Sequence, residues 1–164
     1  MAKNRQFVSI EVSEAVGIQP TLLNKFIGRE RNYGIKPSIQ PGGRGGERIF
    51  SEQDVYGIAL VHWLFESGLR SETIELVLNQ ICGRREPSAN DAAALLVAQK
   101  PDVLVVTREP RLGYAKHPEQ NTRPFSIEKA VSLVGEAGTK CVLVIPVANL
   151  FAELRARLEK ASAN

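Results

Sequence analysis

Thr21, Asn24 and Lys25 are spaced so that three polar side chains fall on one face of a short helix, three and four residues apart. A threonine hydroxyl early in such a helix can bond a phosphate. Asparagine matches the edge of adenine and lysine that of guanine in a major groove. Around them lie four arginines, Arg29, Arg31, Arg44 and Arg48, suited to phosphate contacts. The chemistry these residues offer is hydrogen bonding to an anionic polymer. A plain solvated helix surface is the competing reading of Thr21, Asn24 and Lys25. For Arg29 and Arg31, a solvated linker competes equally with a grip on the backbone.

Charge distribution bears on that choice. The 164-residue chain carries a formal charge of +3, which alone says little. Residues 1–50, however, hold eight Lys/Arg against four acids, an excess of four, so the remainder is nearly neutral. The excess lies where the helix and its following loop would meet phosphates.

The elements that must position these groups begin at Ser9. Ile10, Val12, Ala15 and Val16 give residues 9–16 an apolar face, Phe7-Val8 leads in beneath it, and Gly17 supplies a positive-φ stop. Pro20 suits the first turn of a second helix, 20–27, buried through Leu22, Leu23, Phe26 and Ile27. The glycines from Gly42 to Gly46 form a flexible tip between Ile39 and Ile49-Phe50, where two short strands fit. Ser51, with Asp54 three residues on, caps a third helix over 52–66, and Gly68 ends it. Ser71 caps a fourth, with Ile74, Val77, Leu78 and Ile81 on one face.

Helix, Gly turn, helix, basic wing, helix in that order resembles the DNA-binding domain of the MerR family of transcriptional regulators. The matching stretches are Gly17-Ile18-Gln19-Pro20-Thr21-Leu22-Leu23, Gly46-Glu47-Arg48-Ile49-Phe50, Ser51-Glu52-Gln53-Asp54-Val55 and Gly68-Leu69-Arg70-Ser71-Glu72-Thr73-Ile74. The resemblance covers about the first half of the chain and implies a winged helix-turn-helix that binds double-stranded DNA as a dimer. It departs from the family at Lys25, where an aromatic is usual, and at Glu47, where a wing tyrosine gives way to a carboxylate that repels phosphate.

A linker over 83–88 places a domain boundary there, giving residues 1–84 as the DNA-binding domain and 85–164 as a second, smaller domain. In the second, Asn90-Asp91 caps a helix to Gln99, and Val103–Thr107 and Cys141–Ile145 read as buried strands. Ser126 caps a helix ended by Gly138, and Asn149 caps a last one from Leu150 to about Lys160. This predicts a small α/β unit that dimerises the protein or binds a partner. Two strands make a poor sheet alone, so either a third strand within 111–124 or a second subunit completes it. Leu150, Phe151, Leu154 and Leu158 pack on the strands or form a dimer contact. The fold class expected is α+β.

Catalysis and metal binding find no support in these residues. The Gly42–Gly46 run lacks the placement of a nucleotide-binding loop, and no nucleophile–base set or carboxylate pair stands out. Cys82, Cys141, His62 and His117 are scattered, so neither metal sensing nor a cofactor is expected. There is no run of eighteen apolar residues to span a membrane and no signal-peptide core, so a cytoplasmic protein with reduced thiols is expected. A sequence-specific transcriptional regulator is the first functional reading. A DNA-processing accessory or protein-interaction module that reuses the fold is the second.

Overall fold

The computed structural model of the chain describes residues 5–28, 33–35, 37, 47–83, 86, 88–107 and 142–161. Among them are six helices and two two-stranded antiparallel sheets, an α+β arrangement rich in helix. The elements are β1 (Gln6–Val8), α1 (Ser9–Val16), α2 (Pro20–Ile27), β2 (Ile49–Ser51), α3 (Glu52–Glu66), α4 (Ser71–Cys82), α5 (Ala89–Gln99), β3 (Leu104–Thr107), β4 (Val142–Ile145) and α6 (Val147–Ala161).

Helix α3 is the centre. Ten of its residues are buried, from Asp54 to Leu64, because other elements cover it on nearly every side. Its start is set by Ser51, whose hydroxyl accepts from the Asp54 N–H at 3.2 Å. The Asp54 carboxylate answers by accepting from the Ser51 N–H at 2.7 Å, which closes a capping box. Gly68, at φ 84°, follows the end of α3. His62 is buried within α3, and that burial lowers its pKa from the ordinary histidine value; Glu66, one turn on, opposes the shift.

Strand β2 pairs with β1, and the strand expected near Ile39 lies outside the described residues. Phe7 stands opposite Phe50, and both rings are buried. Phe7-Val8 is therefore a sheet strand as well as the lead into α1, and residues 38–46 lie outside the described residues. Three sequence expectations are corrected here. Ile10 is 61% exposed, because α1 buries Val12, Ala15 and Val16, and a position two residues before Val12 points the other way. Arg70, not Ser71, occupies the N-cap of α4, and no side chain caps it. Ser88, not Asn90 or Asp91, caps α5, accepting from the Asp91 N–H at 3.2 Å.

Asn90 is thereby released for a longer reach. Its Nδ2 donates to Asp54 Oδ1 at 2.6 Å, tying α5 to the head of α3. Backbone also ties α5 to the segment that follows α2, since the Ala89 N–H donates to the Tyr33 carbonyl at 2.8 Å. The facing side chains are small: Ala89, Ala92 and Ala93 on α5 are fully buried, and Gly57 lies opposite on α3. One apolar core consequently runs from Phe7 to Leu158, crossing the linker at 83–88 without a break among the described residues.

β3 and β4 pair antiparallel, Leu104 with Ile145 through Thr107 with Val142. The expected helix over 126–138 and any strand within 111–124 lie outside the described residues. α6 begins at Val147, so Asn149 is a helical residue and not its cap. Its buried face comprises Val147, Phe151, Leu154 and Leu158. Phe151 packs on Tyr56 and Trp63 of α3, with ring centroids 5.5 and 5.0 Å apart. α6 therefore docks on the N-terminal half, a packing that neither of the two sequence expectations, the strands or a dimer contact, had named.

Gly57→Ala tests the α3–α5 contact. Helix propensity alone would favour alanine by up to about 1 kcal/mol. A methyl group at Gly57 would overlap the Asn90 side-chain oxygen, however, and come within 2.9 Å of Asn90 N and 3.1 Å of Ala89 C. Urea unfolding should show a loss of about 1–3 kcal/mol; a gain would mean that α5 is not held this closely.

Candidate nucleic-acid interface

The turn between α1 and α2 follows from three residues. Gly17 adopts φ 79°, a conformation costly for any residue with a Cβ, and its N–H donates to the Ser13 carbonyl at 2.9 Å. Ile18 N–H reaches the same carbonyl at 3.0 Å, and its side chain is buried. Pro20 then opens α2 with φ already set, while the Gln19 carbonyl accepts from Leu22 and Leu23.

The rotation of α2 about its axis is fixed by its inner face. Leu23 and Phe26 are each 1% exposed. The Phe26 ring meets Tyr33 and Phe65 edge-on, each with centroids 5.7 Å away. With that face locked inward, the helical period turns Thr21, Asn24 and Lys25 outward, and all three are exposed. An eight-residue helix is about 12 Å long, comparable with the roughly 12 Å width of a major groove.

Arg48 joins this face from the start of β2. Its Nη1 donates to Asn24 Oδ1 at 2.5 Å, a charge-assisted hydrogen bond between groups 24 residues apart. The bond is exposed, so its net worth is small, but it sets where the guanidinium stands. Among the described residues no other partner takes the remaining Arg48 donors or the Asn24 Nδ2 hydrogens, which can therefore meet an acceptor. Lys25 adds a compact cation. The face is thus rich in donors, the complement of phosphate oxygens and base acceptors. Glu47, exposed beside Arg48, is the one carboxylate on this segment of the described chain.

The structure brings Thr21, Asn24, Lys25 and Arg48 together. Arg29, Arg31 and Arg44 lie outside the described residues. One cation that sequence reasoning missed stands at the start of this region. Arg157 of α6 donates from Nη1 to the Ala15 carbonyl at 3.3 Å, across 142 residues of sequence. No local pattern could have signalled it, because its neighbours in sequence read only as an amphipathic helix. Among the described residues no group of three His, Cys, Asp or Glu side chains is arranged to hold a metal, and no helix is long and apolar enough to cross a membrane.

No protein-family model matches the chain, and no characterised protein matches it in sequence.

If the donor face meets phosphates, Arg48→Ala should weaken binding to any duplex and lower the slope of log K against log[salt] by about one unit. Fluorescence anisotropy between 50 and 200 mM salt measures this; an unchanged slope would exclude Arg48 from the contact.

Proposed function

We propose that the chain is a MerR-like winged helix-turn-helix protein that binds double-stranded DNA as a dimer and regulates transcription. The observation that carries the reading is the single donor face on which Thr21, Asn24 and Lys25 stand exposed and Arg48 is bonded to Asn24. Its support is geometric. A Gly-turned helix pair presents a short helix with one face locked in an aromatic contact and the other carrying the exposed Thr21, Asn24 and Lys25.

In this reading α2 enters the major groove. Asn24 and Lys25 read base edges, Thr21 bonds a phosphate, and Arg48 holds the flanking backbone from the base of the wing. Arg29, Arg31 and Arg44 add phosphate contacts. Asn24 reads adenine while keeping Arg48, because its carbonyl oxygen has two lone pairs. The C-terminal half supplies the pairing surface, and the two-fold axis sets half-sites about one helical turn apart. The chain performs no catalysis and takes no cofactor.

Selection of bound duplexes from a random DNA pool at near-physiological salt tests this. An enriched inverted repeat is expected, and Lys25→Ala should cost about 1–3 kcal/mol on that site and much less on random duplex. Binding without enrichment would favour an accessory protein that coats or bends DNA without reading it. No binding would overturn the proposal.

A further inference from the structure

We infer that Arg157, from the far end of the chain, is a phosphate-contacting residue of the same duplex-binding surface, so that α6 takes part directly in binding. This rests on the DNA-binding reading and extends it to a half of the chain that the family resemblance does not cover.

Three observations place Arg157 there. Its Nη1 donates to the Ala15 carbonyl in the last turn of α1, where the unpaired carbonyls and the negative end of the helix dipole attract a cation. The same Nη1 would be 3.9 Å from a methyl group on Gly17, so the guanidinium stands over the turn that leads into α2. Despite the anchor, the Arg157 side chain is 54% exposed. Beyond the buried Ile18, residues Gln19, Pro20 and Thr21 are exposed as well.

A helix that enters a major groove is bordered by phosphates, and those near its N-terminus are the ones the preceding turn meets. Arg48 stands at the middle of α2, against Asn24. Arg157 stands before its first residue. The two arginines hold different stretches of backbone, one from the wing and one from α6. The neighbouring arginine on α6 is differently engaged: Arg155 Nε donates to the Tyr56 hydroxyl at 3.4 Å and so faces α3.

Glu153 competes for Arg157. Its carboxylate lies 3.7 Å from Arg157 Nη2, one turn back on α6, and is itself 65% exposed. An ion pair so exposed is weak and is readily exchanged for a phosphate. Arg157 has donors to spare, since the guanidinium carries five N–H groups and Ala15 uses one.

The test is a salt titration of the full chain against a mixed-sequence duplex, with thermal unfolding measured in parallel. Arg157→Gln keeps a donor for Ala15 but removes the charge. It should lower the salt slope by about one unit, and Arg157→Lys should restore most of it. A cation that served only to cap α1 would change the melting temperature and leave the slope alone, and that result overturns the inference. Should Arg157→Gln fail to fold, Glu153→Gln decides: freeing Arg157 should tighten duplex binding severalfold, and unchanged affinity overturns the inference. If the unaltered chain binds no duplex, the DNA-binding reading falls and this one with it; if it binds and only the Arg157 arms fail, the reading stands without α6.

Discussion

One buried carboxylate holds the described structure together. Asp54, 3% exposed, accepts from the Ser51 N–H and hydroxyl through Oδ2 and from the Asn90 amide through Oδ1. Three elements end or begin on that group: β2 stops at Ser51, α3 starts beneath it, and α5 is fastened by its second residue. A buried carboxylate is tolerable only when its oxygens are occupied in this way. Gly57, one turn further along α3, is the steric counterpart, since only a residue without a side chain lets α5 lie so close.

From that junction the proposed interface follows in steps. Capping α3 fixes the helix whose Phe65 contacts Phe26, and Phe26 fixes how α2 is rolled. Ending β2 at Ser51 fixes where Arg48 leaves the sheet, and so allows its bond to Asn24. On the opposite flank of α3, Tyr56 and Trp63 seat Phe151, which carries α6 along α1 until Arg157 reaches Ala15. The donor face is therefore assembled by contacts from both halves of the chain. A boundary at 83–88 divides the sequence, yet the apolar core passes across it.

What the sequence made legible was local. Gly17, Pro20 and the Ser51–Asp54 box act within four residues of themselves, so helices α2 and α3 are found with the limits expected. The outward set Thr21, Asn24 and Lys25 follows from the helical period once Leu23 and Phe26 are taken as inner. Long-range contacts left no such mark. β1 is three residues long, too short to show alternation, and its partner lies 43 or so positions away. Asn90 resembled a helix cap because Asn often is one; its actual partner is Asp54, 36 residues earlier. Small residues on α5 gave helix propensity but not the identity of the face they press upon. The resemblance to MerR proteins rests on four short motifs in order, and it carries the functional proposal only together with the face that those motifs build.

The central claim is that duplex DNA meets the outer face of α2. Isotope-labelled full-length chain titrated with a mixed-sequence duplex tests it at residue level by NMR. The account predicts that the largest shifts fall on the amides of Gln19 to Lys25 and on the Arg48 guanidinium, fading as salt is raised. Shifts concentrated instead on α4 or α5, or none at stoichiometric duplex in low salt, would contradict it.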